Sequence, residues 1–435
     1  MQSDEPSGGS RVDPWLGHYA QRAGGMVASE VRALFAVASR PEIVSLAGGM
    51  PNVSALPMEA VAAMMADLVT ERGPVALQYG SAQGDPSLRE TICTVMAAEG
   101  IDAHPDDVVV TVGSQQALDL VSRVFLDPGD TVVTEGPTYV TALGTFAAYQ
   151  ARAVHVDMDE RGVLPEALAE SFARLERAGR RAKLLYTVPT FQNPAGVTLA
   201  TERRLEVLEV CRRAGVLVLE DNPYGLLHLE GEPMRALRAD APADVVYLGS
   251  FSKTLAPGLR VGWALAPSAV RDKLVLAAES AMLSHSAFAQ LAVDRYLRTQ
   301  PWEEQLKQFR EMYRERRDAM LGALEEHMPA GVSWTRPGGG FFVWLTLPEG
   351  LDSKTMLPRA VQNRVAYVPG TGFYADGTGQ QAMRLSYCYP PPERIAQGVR
   401  TLAGVIRGEL QLWETFGTTA HPHSPGPQTP GPDQS

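Results

Sequence analysis

Cysteine is scarce in this chain: Cys93, Cys211 and Cys388 lie far apart and form no CxxC pair. That spacing excludes a disulfide framework, offers no structural zinc site or other metal centre, and suits a reducing cytoplasm. Long apolar runs are also missing. No window of about 18 apolar residues occurs, so no membrane-spanning helix is expected. The opening MQSDEPSGGSRVDP lacks the apolar stretch that follows a basic start in a secretory leader. Positive charge is in deficit, with 39 Lys and Arg against 50 Asp and Glu and a net charge of −11. Such a balance supplies no broad basic face for nucleic acid, yet a local arginine can still bind a small anion.

What is present is an ordinary globular composition, 45% hydrophobic and 20% charged over 435 residues, enough for two or three packed subdomains. The first dozen residues and the last twenty, ending HPHSPGPQTPGPDQS, are too polar and Pro-rich to bury apolar surface and read as tails. Between them the apolar runs VVVTV (108–112), TVVTE (131–135), KLLYTV (183–188), VLVLED (216–221) and VVYLG (245–249) alternate with helical stretches such as SQQALDLVSRVFL and residues 201–214. The pattern predicts an α/β fold whose mostly parallel sheet is flanked by helices on both faces. From residue 290 a long helical stretch through 326, strands near 332–335, 341–347, 365–369 and 383–387, and a last helix over 392–410 predict a smaller α+β domain. The segment from about 15 to 58, containing SLAGGMPNVSALP, is expected to cross between the two.

Ligands of such sheets sit beyond the carboxyl ends of the strands, and four loops there carry chemistry. Gly113-Ser114-Gln115 starts a helix after a strand, a place for an anion or for a plain N-cap. Asp221, ending an apolar strand in EDNPYG, needs a cation or a protonated nitrogen if it is buried, although helix capping is the plainer reading. Asn193 in FQNP also follows a strand and could simply form a turn. In SFSKTLAPGLRVG, Lys253 is either a surface charge or an amine nucleophile, with Ser250, Ser252 and Arg260 suited to a phosphate. Finally Arg384, inside the apolar run MRLSY, needs a planar anion: a substrate carboxylate or an internal salt bridge. One chemistry unites the set, an aldehyde cofactor with a phosphate, a pyridine nitrogen and a ring hydroxyl.

In the order SLAGGMPN, LQYG, GSQQALDL, FQNPAG, EDNPYG, SFSKTLAPGLRVGW, RPGGGFFVW and MRLSY, the chain resembles the fold-type I pyridoxal 5'-phosphate (PLP) aminotransferases over about residues 15–412. It is most similar to their 2-aminoadipate and kynurenine subgroup. The resemblance implies a tail over 1–14, an N-terminal segment over 15–58 that joins the small domain and covers substrate, a large PLP-binding domain over 59–288, a small domain over 289–412 and a tail over 413–435. It implies that Lys253 binds PLP as a Schiff base and acts as general base, that Asp221 pairs with the ring nitrogen, and that Asn193 and Tyr224 bond the ring hydroxyl. Tyr139 would stack on the ring. Ser114, Gln115, Ser250, Ser252 and Arg260 would surround the phosphate, joined by Tyr79 from a neighbouring subunit in a homodimer with shared sites. Arg384 would hold the substrate α-carboxylate close to Gly49.

Arg32, in ASEVRALF, matches a position where an arginine grips a side-chain carboxylate, which would make glutamate and 2-oxoglutarate one substrate pair; helix surface is the alternative. The other amino acid is expected to be long-chain or aromatic, with a phenylglycine-type amino acid of antibiotic biosynthesis as one version. Oxidase and β-lyase reactions use the same sites. A PLP-binding regulatory domain is the remaining reading, set against by the acidic chain and by the lack of a winged-helix segment before residue 30.

Overall fold

The structure, a computed structural model, describes residues 13–26 and 40–416. The first strand, β1 (Val44–Ser45), is followed by β2 (Val108–Thr111), β3 (Thr131–Gly136), β4 (Arg152–Asp159), β5 (Gly162–Val163), β6 (Ala182–Thr187), β7 (Leu217–Asp221), β8 (Val245–Ser250) and β9 (Gly262–Leu265). From β2 to β9 they form one eight-stranded sheet in the order β2-β9-β8-β7-β6-β3-β4-β5. The pairs β3·β4, β3·β6, β6·β7 and β7·β8 are parallel. β9 inserts antiparallel to both β2 and β8, and β5 pairs antiparallel with β4. Every residue of β2 and β8 is buried, as expected for strands covered on both faces.

All five central strands expected from sequence are present within a residue or two. β4 and β9 were not anticipated. RAVHVDMD in β4 is only partly buried and carries four polar side chains, while GWAL in β9 is too short to show a period of its own. The helices obey local rules. Asp85 caps Pro86–Ala97 by accepting from the N–H groups of Ser87 and Leu88. Gly215 stops Thr201–Ala214 in the left-handed conformation at φ +65°.

A second, antiparallel sheet joins β10 (Ser333–Trp334), β11 (Phe342–Thr346), β14 (Ala382–Ser386) and β13 (Val368–Pro369) in that order, while β12 (Val365–Ala366) pairs with β1. The helical stretch expected from 290 through 326 is instead two helices, Ala287–Thr299 and Trp302–His327. Pro301 separates them because it pushes Gln300 into extended backbone, at ψ 155°. The first of the two packs against Met58–Ala76 and Pro86–Ala97. The last helix also runs past its expected end, to Phe416, so residues 413–416 are helix rather than tail; Trp413 lies so close over Gly350 that a side chain there would collide with the indole. Residues 1–12 and 417–435, expected to be tails, lie outside the described residues.

β1 fixes the course of the N-terminal segment. Val44 packs on Gly398 of the last helix, and Ser386 N–H donates to the Leu46 carbonyl at 2.7 Å. The chain at 47–50 is thereby laid across the carboxyl ends of the large sheet, where the small sheet also presents Phe342 and Arg384.

Candidate active site

A cavity of about 340 Å³ opens at that junction. Five strand ends supply its floor: Ser114 after β2, Tyr139 after β3, Asn193 after β6, Asp221 at the end of β7, and Ser250, Ser252 and Lys253 at and after β8. Gly49, Phe342 and Arg384 close it from the other side, and Tyr224 lines it from the turn after β7. The scattered sequence candidates are thus mostly one constellation.

Lys253 is held, not solvated: its Nζ donates to the Gly49 carbonyl at 2.9 Å and lies 5.8 Å from the centre of the Phe341 ring. Burial lowers its pKa to about 8, and the nearby guanidinium groups of Arg384 and Arg260 act in the same direction while Cys388 and Asp221 oppose it. Asp221 is 5% exposed, and burial raises its pKa to about 6 against the opposing effects of Tyr186 and Lys253. One carboxylate oxygen, Oδ2, accepts from the Tyr186 hydroxyl at 2.8 Å. The other, Oδ1, is buried with no hydrogen-bond partner among the described residues. An acceptor left this way costs about 1–3 kcal/mol and suits a protonated nitrogen.

Arg384 decides between a carboxylate clamp and a salt bridge. It is 4% exposed, and no carboxylate among the described residues lies within ion-pair distance. Nη1 donates to Asn193 Oδ1 at 2.9 Å and Nη2 to the Ala47 carbonyl at 2.8 Å, while Nε is buried without a partner among the described residues. The guanidinium lies 4.2 Å from the Phe342 ring centre and 5.1 Å from that of Phe373. Burial lowers its pKa to about 10, and a desolvated cation without a counter-ion is a site for a planar anion.

A cluster of hydroxyl and guanidinium groups forms where β2, β8 and β9 meet. Arg260, at φ +53°, turns its Nη2 onto the Val112 carbonyl at 3.0 Å, and its Nη1 reaches Ser252 Oγ at 3.5 Å. Ser252 Oγ in turn accepts from Ser250 Oγ at 2.8 Å. Gly113 and Gly262 let these backbones close up: a Cβ on Gly262 would sit 2.5 Å from the Gly113 carbonyl carbon.

Residues 41–402 match the family model described as aminotransferase class I and II. The chain belongs to that family. It is 42% identical to the aromatic-amino-acid aminotransferase 1 of Thermococcus litoralis over 91% of this chain and 95% of the relative. It is 39% identical to the 2-aminoadipate transaminase of Thermus thermophilus over 92% and 98%. Among solved structures, a Pyrococcus horikoshii kynurenine aminotransferase in complex with PMP superposes with a TM-score of 0.86 at 43% identity, covering 90% of this chain and 97% of that one. The protein is a PLP-dependent aminotransferase of fold type I.

The residues fit that cofactor. Asp221 Oδ1 is an unmet buried acceptor for a ring N–H, the Ser250, Ser252 and Arg260 cradle suits its phosphate, and the Lys253 amine reaches the same cavity. Three sequence candidates stand apart. Gln115 points away, its amide donating to Thr145 Oγ1 at 2.8 Å. Tyr79 is 78% exposed and lines a separate hollow with Gln78, Ser284 and His285. Arg32 lies outside the described residues.

Sequence reasoning missed several neighbours of the site. Tyr186, read only as a strand residue, bonds Asp221. The buried Glu135 accepts from Thr187 Oγ1, Val188 N–H and Gln192 Nε2, tying the loop that carries Tyr139 to the one that carries Asn193. A carboxylate inside the apolar run TVVTE was the available signal.

Proposed function

We propose that this aminotransferase moves an amino group between an aromatic or long-chain L-amino acid and 2-oxoglutarate, working as a homodimer in the cytoplasm. The observation that carries the reading is the meeting of Lys253, Asp221 and an unpaired Arg384 in one cavity beside the apolar surfaces of Phe342 and Met50. A carboxylate held by Arg384 directs the rest of the substrate along those surfaces. The named relatives act on aromatic amino acids, 2-aminoadipate and kynurenine, which is the support for the substrate class.

Bound there, PLP supplies an aldehyde that captures the amine and a protonated ring that accepts the electron pair left when Cα loses its proton. The protein does the rest. Asp221, with one oxygen fixed by Tyr186, uses the other to keep the ring nitrogen protonated. Asn193 has its carbonyl oxygen committed to Arg384, which leaves its amide N–H groups to bond the ring hydroxyl together with Tyr224. Ser114, Ser250, Ser252 and Arg260 would hold the phosphate, and Tyr139 would lie against the ring. Arg384 grips the α-carboxylate and so sets which Cα bond faces Lys253. Lys253, whose pKa is lowered by burial, takes and returns the proton at Cα. The exposure of Tyr79 supports its contribution to a second subunit's phosphate site.

The test is spectroscopic. The yellow holoenzyme should bleach with an aromatic or long-chain donor and recover its band with 2-oxoglutarate; a band that no donor bleaches would overturn the reading in favour of another PLP reaction. Mixing Lys253→Ala and Tyr79→Phe subunits, followed by subunit exchange, should restore activity through one intact composite site. No gain on mixing would overturn shared sites.

A further inference from the structure

Behind the cavity, on the opposite face of the large sheet, lies a group of buried polar residues that the reaction described above does not use. Strand alternation creates it. Asp221 points to the cofactor side, so its neighbours Glu220 and Asn222 point to the rear, where in-register pairing places Tyr247 beside Glu220. Into this group enters Glu99, from just beyond the helix Pro86–Ala97 and more than a hundred residues away in sequence from its partners Asn222 and Tyr247. It is 4% exposed.

Both Glu99 oxygens are committed. Oε1 accepts from Asn222 Nδ2 at 2.7 Å, and Oε2 accepts from the Tyr247 hydroxyl at 2.6 Å. A carboxylate only accepts, so it dictates which way the Asn222 amide faces. With Nδ2 turned to Glu99, Asn222 Oδ1 faces the Gly225 N–H, which donates to it at 2.9 Å. The Asn222 N–H meanwhile donates to the Leu248 carbonyl at 2.9 Å. The Asn222 N–H, both ends of its side-chain amide and the Gly225 N–H are thus fixed, and Asp221, Pro223 and Tyr224, which flank Asn222 or follow it, line the cavity. Gly225 records how close the approach is: a Cβ there would overlap the Glu99 carboxylate and meet the Asn222 amide at 2.8 Å.

A carboxylate is a costly choice for so buried a bond. Burial raises the pKa of Glu99 to about 7, with the neighbouring Glu220 carboxylate adding to the rise. The nearest counter-charge, Arg204, spends its guanidinium on the carbonyls of Leu199, Pro189 and Arg235 and on Thr190 Oγ1. An apolar or hydroxyl residue would fill this space at less cost, but neither would orient Asn222.

We infer that Glu99 is a positioning residue for transamination, acting through Asn222 to set the turn that holds Asp221 and Tyr224 against the cofactor. The inference rests on the reading of Asp221 and Tyr224 given above. Removal of the acceptor frees the Asn222 amide and lets both side chains drift, while Arg384 and Asn193 stay in place. The expected signature is therefore a loss in kcat of roughly 10- to 100-fold, as a displacement near 1 Å produces, with the donor KM nearly unchanged.

The experiment uses holoenzyme carrying Glu99→Ala, Glu99→Gln, Asn222→Ala and the double variant Glu99→Gln/Asn222→Ala, beside Asp221→Asn. Measurements are kcat, donor KM and the pH titration of the cofactor's visible band. Glu99→Ala and Asn222→Ala should lower kcat and shift the titration. Glu99→Gln, which can still accept from Asn222, should retain most of kcat, and its small effect should vanish once Asn222 is gone, the non-additivity that marks one chain of contacts. Should Glu99→Ala fail to fold, Asn222→Ala and the double variant carry the same comparison. Variants with lowered melting temperature but wild-type kcat and titration would overturn the inference and leave Glu99 a packing residue. A harmless Asp221→Asn would instead overturn the reading of the site itself.

Discussion

Arg384→Lys tests the carboxylate clamp with little change in charge. In the protein Arg384 offers a planar fork, braced by Nη1 to Asn193 and Nη2 to the Ala47 carbonyl and stacked 4.2 Å from the Phe342 ring centre. A lysine head keeps the positive charge and loses the fork, so one of two parallel bonds to the α-carboxylate disappears. A hydrogen bond to a charged group contributes about 1.5–3 kcal/mol, which corresponds to roughly a 10- to 150-fold fall in kcat/KM. Loss of stacking on Phe342 adds about 0.5–2 kcal/mol, depending on how dry the site remains. The assay is the single-turnover bleaching of the holoenzyme band, run with an aromatic amino acid and with the corresponding amine that lacks the carboxylate. The variant should lose rate with the amino acid and little with the amine, because only the former uses the fork. Equal losses on both, or none on either, would refute the clamp and return Arg384 to a structural role.

Asp221→Asn removes the negative charge beside the ring nitrogen while keeping the bond to Tyr186; kcat should fall about 100- to 1000-fold, the scale of a lost electrostatic partner in a water-poor site, as read from steady-state rates. The Lys253 amine attacks an aldehyde only when neutral. Because burial holds its pKa near 8, the rate at which cofactor-stripped protein takes up PLP should rise about tenfold per pH unit below pH 8 and level above it; stopped-flow absorbance checks this, and a rise continuing to pH 10 would contradict the depressed value. Gly262→Ala would drive a Cβ into the Gly113 carbonyl carbon, 2.5 Å away, so the cradle must open; equilibrium dialysis should show PLP affinity weakened by more than tenfold, with catalysis at saturating PLP less affected.

The central strands were legible because each is an apolar run of four to six residues flanked by turn residues, and the helix start at Gly113 because a glycine follows the strand there. β9 was not, since its four residues take their place only after Arg260 has reversed the chain at φ +53°. The break at Pro301 was written in the sequence but was overridden by the helical period on either side. The same division holds at the site. Asp221 and Arg384 stand out because a charged residue in an apolar run is costly wherever it is buried, and Lys253 because it follows the strand VVYLG directly. Tyr186 does not, because a tyrosine in a strand is common, and only the parallel register of β6 against β7 brings its hydroxyl to Asp221.

Three charged groups inside one cavity raise a question that the geometry answers. Burial lowers the pKa of Lys253 and Arg384 and raises that of Asp221, so before any ligand arrives each group is held in an environment that opposes its charge. A folded protein keeps such an arrangement only where the surrounding contacts are strong enough to bear it. Two ligands would meet these opposing requirements: the cofactor, with a ring N–H for Asp221 and an aldehyde for the lysine amine, and an amino acid whose carboxylate would neutralise the arginine. Neither Asp221 nor Arg384 needs the other as a counter-ion, and Asn193, which bonds Arg384 directly, would stand between the ring and the substrate carboxylate with its amide shared by both. That arrangement would let the same cofactor site receive two different acids in turn, each recognised through the carboxylate they share.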